Sequence, residues 1–190
     1  MNKGYTVDQE FDKIDFTEKG LEKGDYESCT FRNCNFSGVN LAEIIFLECM
    51  FEDCDFSMAK LGNSSFRDVK FIRCKQLGLR FDECNKLLIS FSFDNCILNL
   101  SSFYKLKLKG IVFKDCKLQE VDFVESDLTN SKFLNTDLAD ATFENTMLQG
   151  ADFRTAYNYS IDPEINQLKN ARFSIDGIRG LLGKYKIVIE

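Results

Sequence analysis

Large apolar residues recur along this chain at every fifth position. One run places Phe, Leu or Tyr at Phe11, Phe16, Leu21, Tyr26, Phe31, Phe36, Leu41, Phe46, Phe51, Phe56, Leu61, Phe66 and Phe71. A second places Phe or Leu at Phe93, Leu98, Phe103, Leu108, Phe113, Leu118, Phe123, Leu128, Phe133, Leu138, Phe143, Leu148 and Phe153. A five-residue period fits neither the 3.6 of a helix nor the 2 of a flat strand. It fits a four-sided coil with five residues per side, each side sending one large side chain inward. A twenty-residue recurrence supports this: Leu21, Leu41 and Leu61 repeat at that interval, as do Leu98, Leu118 and Leu138. Identical residues would then lie one above another, as repeat architectures require.

The position two before each large residue is mostly small. It holds Cys29, Cys34, Cys49, Cys54, Ala59 and Ser64 in the first run, and Ser101, Cys116, Ser126, Ser131, Thr136, Ala141, Thr146 and Ala151 in the second. The repeating unit is small, any, Phe or Leu, then two mostly polar residues. Ala151-Asp152-Phe153, Ser126-Asp127-Leu128 and Thr136-Asp137-Leu138 show it plainly. In these features the chain resembles the pentapeptide-repeat family over about residues 11 to 173. The resemblance implies an all-β solenoid, a right-handed quadrilateral β-helix. About seven coils, each rising about 4.8 Å, are expected.

The pattern also decides what the eight Cys do. Six of them sit two before a ladder residue, and Cys74 and Cys84 keep that phase where Gln76 and Lys86 replace the large residue. A Cys there packs as a small polarisable hydrophobe. Neighbouring Cys five apart would face different walls, which suits neither disulfides nor a tetrahedral metal site. The chain has no His, so the commonest partner ligand and the usual general base are missing. No cofactor, metal site or enzymatic activity is expected. Unpaired Cys suggest a reducing cytoplasm. No apolar run is long enough to span a membrane.

Charge is banded. Residues 1–59 hold 5 basic and 13 acidic residues, residues 60–117 hold 12 basic and 5 acidic, and residues 118–155 hold 2 basic and 8 acidic, within a net −6. Lys105, Lys107 and Lys109 flank inward Leu106 and Leu108, so they should project outward. With Asp122, Asp127, Asp137 and Asp152 they are the candidate partner-facing charges, and such banding can steer a partner. Direct nucleic-acid binding by the basic band is disfavoured by the negative net charge.

The ladder breaks once. Phe71 and Phe93 are 22 apart, so two residues are inserted within 82–92, near Cys84-Asn85-Lys86-Leu87. Phe81 and Phe91 keep the old phase; Leu88 and Phe93 start the new one. A bulge or short loop is expected there.

The whole chain reads as one domain. Residues 1–10 are polar and expected to fold over the first coil. Tyr157–Gln167 reads as a loop or a distorted side of the last coil. After Phe173, Ser174 or Asp176 can cap a helix from about Ile175 to Gly183, and Lys186–Glu190 alternates enough for a strand. This tail is expected to cap the solenoid's edge and to supply a symmetric dimer contact through Ile175, Ile178, Leu181, Leu182, Tyr185, Ile187 and Ile189.

Ile161-Asp162-Pro163, Asn166, Leu168-Lys169, Ala171, Phe173-Ser174 and Leu181-Leu182 resemble the closing segment of Qnr-type quinolone-resistance proteins and their mycobacterial relatives. They are also similar to that region of microcin-immunity pentapeptide proteins. The resemblance implies a bacterial, rod-like dimer joined through C-terminal helices. It further implies a non-enzymatic protein that binds DNA gyrase or topoisomerase IV as a mimic of DNA, giving protection from quinolones or toxin. The acidic bands suit that reading and the basic middle does not. The alternative is a protein-binding rod with another partner and no topoisomerase role.

Overall fold

A computed structural model describes residues 4–87 and 89–188. The chain winds into a right-handed quadrilateral β-helix, a parallel solenoid with four walls. Two walls carry the recognisable strands. One is a four-stranded sheet of Gly4–Val7, Gly24–Glu27, Ile45–Leu47 and Ser65–Arg67. Another is a seven-stranded sheet of Glu10–Asp12, Thr30–Arg32, Met50–Glu52, Val69–Ile72, Phe91–Asp94, Val112–Lys114 and Lys132–Leu134. Neighbours pair parallel with a twenty-residue offset, as in Phe31↔Phe51 and Phe113↔Phe133.

The corners explain why five residues make a side. The second residue after most of the large ones takes a positive φ, as at Asn33, Asp53, Glu120, Asn130 and Asp140. On the less strand-like walls, the amide of the third residue after the large one closes the turn. Ala59 N donates to Phe56 O (3.0 Å), and Ser126 N to Phe123 O (3.1 Å). Such a turn needs φ above zero at its third residue, which Asn, Asp and Gly tolerate best.

The large residues fill the axis. On the seven-stranded wall, Phe11, Phe31, Phe51, Phe71, Phe93, Phe113, Phe133, Phe153 and Phe173 stack in one unbroken column. Their ring centroids are 4.5–5.4 Å apart and their planes 3–16° off parallel. Rings on adjacent walls meet edge to face, as do Phe51 and Phe56 at 87°. Both geometries are favourable for aromatic pairs.

The two-residue slip lies between Asn85 and Ser90. Asn85 N still donates to Ser64 O (2.7 Å) in the old offset, whereas Val69 already pairs with Phe91 and Phe71 with Phe93. Phe81–Glu83 tightens into a 3-10 turn and Leu87 is thrown outward, 86% exposed. Phe91 does not keep the old phase. It takes the small inward position two before Phe93, where its ring fills space against Phe81 (5.2 Å) and Phe66 (6.4 Å). Leu88, expected to open the new phase, lies outside the described residues.

Both ends differ from expectation. Gly4–Val7 does not fold over the first coil; it is a side of that coil, paired in register with Gly24–Glu27. The tail forms two 3-10 segments, Asp176–Leu181 and Gly183–Tyr185, in place of a helix through Gly183. Ser174 Oγ accepts from Gly177 N (3.0 Å) as a capping residue does. Residues 186–188 form no strand, and Lys186 bends the chain away with a φ of 51°; Ile189 and Glu190 lie outside the described residues. Tyr157–Gln167 is a distorted side, since Tyr157 bridges to Asp137 and Gln167 to Met147 at the usual offset. Asn166 fills its small position, donating to Phe143 O (2.9 Å).

One inward residue conflicts with the core. Gln76 occupies a ladder position, is fully buried, and neither its Nε2 nor its Oε1 has a partner among the described residues. A buried amide without partners costs more than an apolar side chain of similar size. Gln76→Leu should therefore stabilise the fold by about 1–3 kcal/mol, while Phe113→Ala, which cuts the ring column, should destabilise it by about 3–5 kcal/mol. Urea denaturation of the two variants checks both signs.

Candidate interaction surfaces

The outer faces are built from the residues between ladder positions. The Asp or Asn just before a large residue bonds the backbone of its own turn. Asp122 Oδ1 accepts from Val124 N (2.9 Å), Asp127 Oδ1 from Thr129 N (3.1 Å) and Asp152 Oδ1 from Arg154 N (3.1 Å). Hydrogen bonds from Thr17 hold Asp15 below its ordinary carboxylate value, and those from Arg154 do the same for Asp152. This corrects the expectation for the four candidate aspartates. Asp127 and Asp137 are buried, and Asp122 and Asp152 are half-buried. Asp137 also accepts from Gln119 Nε2 (2.7 Å) and Asn158 Nδ2 (2.8 Å). Their carboxylates serve the turns first.

The acidic groups that do reach solvent in this band are Glu120, Glu125, Asp140 and Glu144. The first three stand on positive-φ corners, so the signal that finds them is the second position after a ladder residue. Lys105, Lys107 and Lys109 are exposed as expected. Lys105 meets Glu125 (3.3 Å) and lies over the Tyr104 ring, and Lys109 meets Asp127 (3.4 Å). Many of the ion pairs join neighbouring coils, such as Arg73–Asp53 (2.8 Å) and Lys114–Asp94 (2.9 Å). Exposed pairs of this kind add little stability; they tie basic and acidic bands together along the walls.

The cysteines are all buried and unbridged. Five of them, Cys34, Cys54, Cys74, Cys96 and Cys116, follow one another in register up one wall. Each thiol faces backbone oxygens: Cys54 Sγ sits 3.4 Å from Phe31 O and 3.3 Å from Glu52 O. Thr136, next in that column, makes the same two bonds with its hydroxyl, to Phe113 O (3.2 Å) and Leu134 O (3.0 Å). The thiols therefore act as small donors to the wall. Burial pushes Cys49 and Cys84 up to about 12. Among the described residues no three His, Cys, Asp or Glu converge to hold a metal ion, and no helix is long and apolar enough to cross a membrane. Because the thiolate is the reactive form, native protein at pH 8 should leave all eight Cys unalkylated by iodoacetamide. Denatured protein should lose all eight, which intact-mass spectrometry counts.

At the C-terminal end, Ile175 is 90% exposed, and Ile178, Tyr185 and Ile187 are also exposed. Leu181 packs on the core and Leu182 is half-buried, so the six described residues of the expected contact divide between cap and outer face; Ile189, the seventh, lies outside the described residues. Ile161 N donates to Gly180 O (2.9 Å), docking the tail on the last coil. Tyr159 is buried between Gly177 and Gly180, where a Cβ at either glycine would overlap it. An open cleft of about 520 Å³ lies beside it, lined by Tyr157, Ser160, Asp176 and Arg179 among others.

Four walls, five-residue sides and stacked inward rings define a quadrilateral β-solenoid. The chain belongs to the pentapeptide-repeat family: the family model described as a pentapeptide repeat region matches residues 25–91 and 79–153. No curated protein matches the sequence significantly. Among solved structures, the chain is similar to HetL, a pentapeptide repeat protein involved in heterocyst differentiation regulation from the cyanobacterium Nostoc sp. strain PCC 7120. That match has a TM-score of 0.58 at 19% identity and covers 90% of this chain and 88% of that one. It is also similar to trypsin-treated QnrB1, a plasmid-mediated fluoroquinolone resistance protein, with a TM-score of 0.51 at 21% identity, covering 98% of this chain and 100% of that one. These likenesses establish the fold. Proteins of this family are typically non-enzymatic scaffolds.

Proposed function

We propose that this protein is a non-enzymatic interaction scaffold that binds a type II topoisomerase, DNA gyrase or topoisomerase IV, and so gives quinolone or toxin protection. The observation that carries the reading is the charge on the outside of the rod. Glu120, Glu125, Asp140 and Glu144 point outward on one coil band, and the first 59 residues carry 13 acidic groups. A stack of outward carboxylates can occupy a cationic groove that otherwise takes duplex DNA. The closing segment from Ile161 to Leu182 resembles that of Qnr-type proteins, and QnrB1 itself is a fluoroquinolone resistance protein of like fold. Purified protein should alter gyrase supercoiling or relieve its inhibition by a fluoroquinolone. Asp140→Lys with Glu144→Lys should weaken that effect. No effect and no measurable binding would remove the topoisomerase partner.

The basic band favours the second reading, a protein-binding rod with another partner. Residues 60–117, with 12 basic and 5 acidic residues, interrupt an acidic DNA-like surface.

The working unit in this proposal is a homodimer joined through the C-terminal end. Exposed Ile175, Ile178 and Ile187 support it, because a symmetric partner would cover the same patch on both copies. Light scattering should give a mass twice the 21.9 kDa of the chain, and Ile175→Glu with Ile178→Glu should return it to the monomer. The expected setting is the bacterial cytoplasm, where unpaired thiols persist.

A further inference from the structure

Among the described residues, twenty-four other than glycine take a positive φ. All but two are polar or charged. The exceptions are Met58 (φ 59°) and Leu100 (φ 63°). For large apolar side chains this backbone region is a genuine outlier, and such strain concentrates where a surface is used. Both side chains point to solvent, Met58 67% exposed and Leu100 57%.

They stand on the same corner of the rod. Gly38 N donates to Ser57 O, Met58 N to Leu77 O, Gly78 N to Asn99 O and Leu100 N to Gln119 O, which sets the order Gly38, Met58, Gly78, Leu100, Glu120 up this edge. Gly78 sits between the two apolar residues, and Met58 lies across it: a Cβ there would meet Met58 Sδ at 2.7 Å. Half-buried Leu77 and exposed Ile97 extend the strip onto the adjoining wall.

The flanks are basic. On one side Ile97 bridges in register to Lys75 and to Lys117. On the other, Lys60 and Arg80 each stand two residues past the corner positions Met58 and Gly78. Lys75 is held by Asp55 (3.3 Å) and Arg80 by Asp82 (2.7 Å). Lys60 and Lys117 form no ion pair among the described residues and are exposed.

We propose that this edge, Met58–Leu77–Ile97–Leu100 with Lys60 and Lys117, docks an acidic polypeptide segment that carries apolar anchors. Apolar side chains of such a segment cover the strip, and its carboxylates meet the free ammonium groups on both sides. An anionic membrane has the same chemistry but the wrong shape. A plane lying along the rod would meet Glu120 on this same edge, and the following corner residue Asp140, within two coils of Leu100. A segment crossing the middle of the rod avoids them. The proposal rests on the scaffold reading but not on its topoisomerase form, and its test contains no topoisomerase, so either can fail alone.

The test compares wild type with Met58→Asn plus Leu100→Asn, since Asn suits positive φ. The probe is a fluorescein-labelled peptide of alternating Glu and Leu, read by anisotropy beside an alternating Lys–Leu peptide, and vesicles of neutral and anionic phospholipid. The Glu–Leu peptide should bind wild type about tenfold or more tightly than the variant, with binding weakened by salt. The variant should melt no lower than wild type, because the strained apolar residues serve binding and not folding. Equal binding to both proteins, or no binding, overturns the proposal. So does equal binding of the Lys–Leu peptide, recruitment to anionic vesicles through Met58 and Leu100, or a variant that melts several degrees lower.

Discussion

The structure depends on one contact repeated along its axis, a side chain lying on the same side chain one coil away. A parallel coil rises by about the distance at which two aromatic rings stack offset. The nine phenylalanines on one wall exploit that coincidence, with adjacent rings 4.5–5.4 Å apart. Every wall must then keep its register, because a shift of one residue would put a polar side chain on the axis. The five-residue side, the corner φ and the small position two before each ring all follow from holding that column straight.

This axis leaves the exterior free. Each side offers only a few outward positions, and they are not equivalent. The one before the ring is drawn into turn hydrogen bonds, which is why Asp127 and Asp137 are buried despite their charge. The corner position is open to solvent and demands positive φ, which normally selects Asn, Asp or Gly. Charged residues at corners, such as Glu120, Glu125 and Lys105, are therefore the better reporters of what the surface meets. Bands of opposite charge tie successive coils by pairs such as Arg73–Asp53, whose salt dependence belongs to recognition more than to stability.

Most of the fold was legible because its signal is periodic. The ladder placed the rings, the Cys and the slip within a few residues. What it missed breaks the period or concerns one atom group. Phe91 looked like a ladder residue of the old phase; only the position of the insertion after Asn85 shows that it serves as an oversized small residue. The first ten residues looked polar and cap-like, yet Gly4 pairs opposite Gly24 as part of a wall. The tail's hydrophobic spacing suggested a longer helix, but Gly177 and Gly180 let it pack tightly around Tyr159 as 3-10 turns. The outward surface was the least legible, because charge counts do not tell a turn-capping Asp from one that faces a partner.

Stability in such a rod is carried from coil to coil, so the slip and the two ends should be its weakest points. Native-state hydrogen exchange resolved by residue tests this most directly. The account predicts the slowest exchange in the coils from Phe103 to Phe143, and fast exchange at residues 85–87 and 89–90 and in the terminal coils. Uniform protection along the rod, or protection at residues 85–87 and 89–90 equal to that around Phe123, would contradict it.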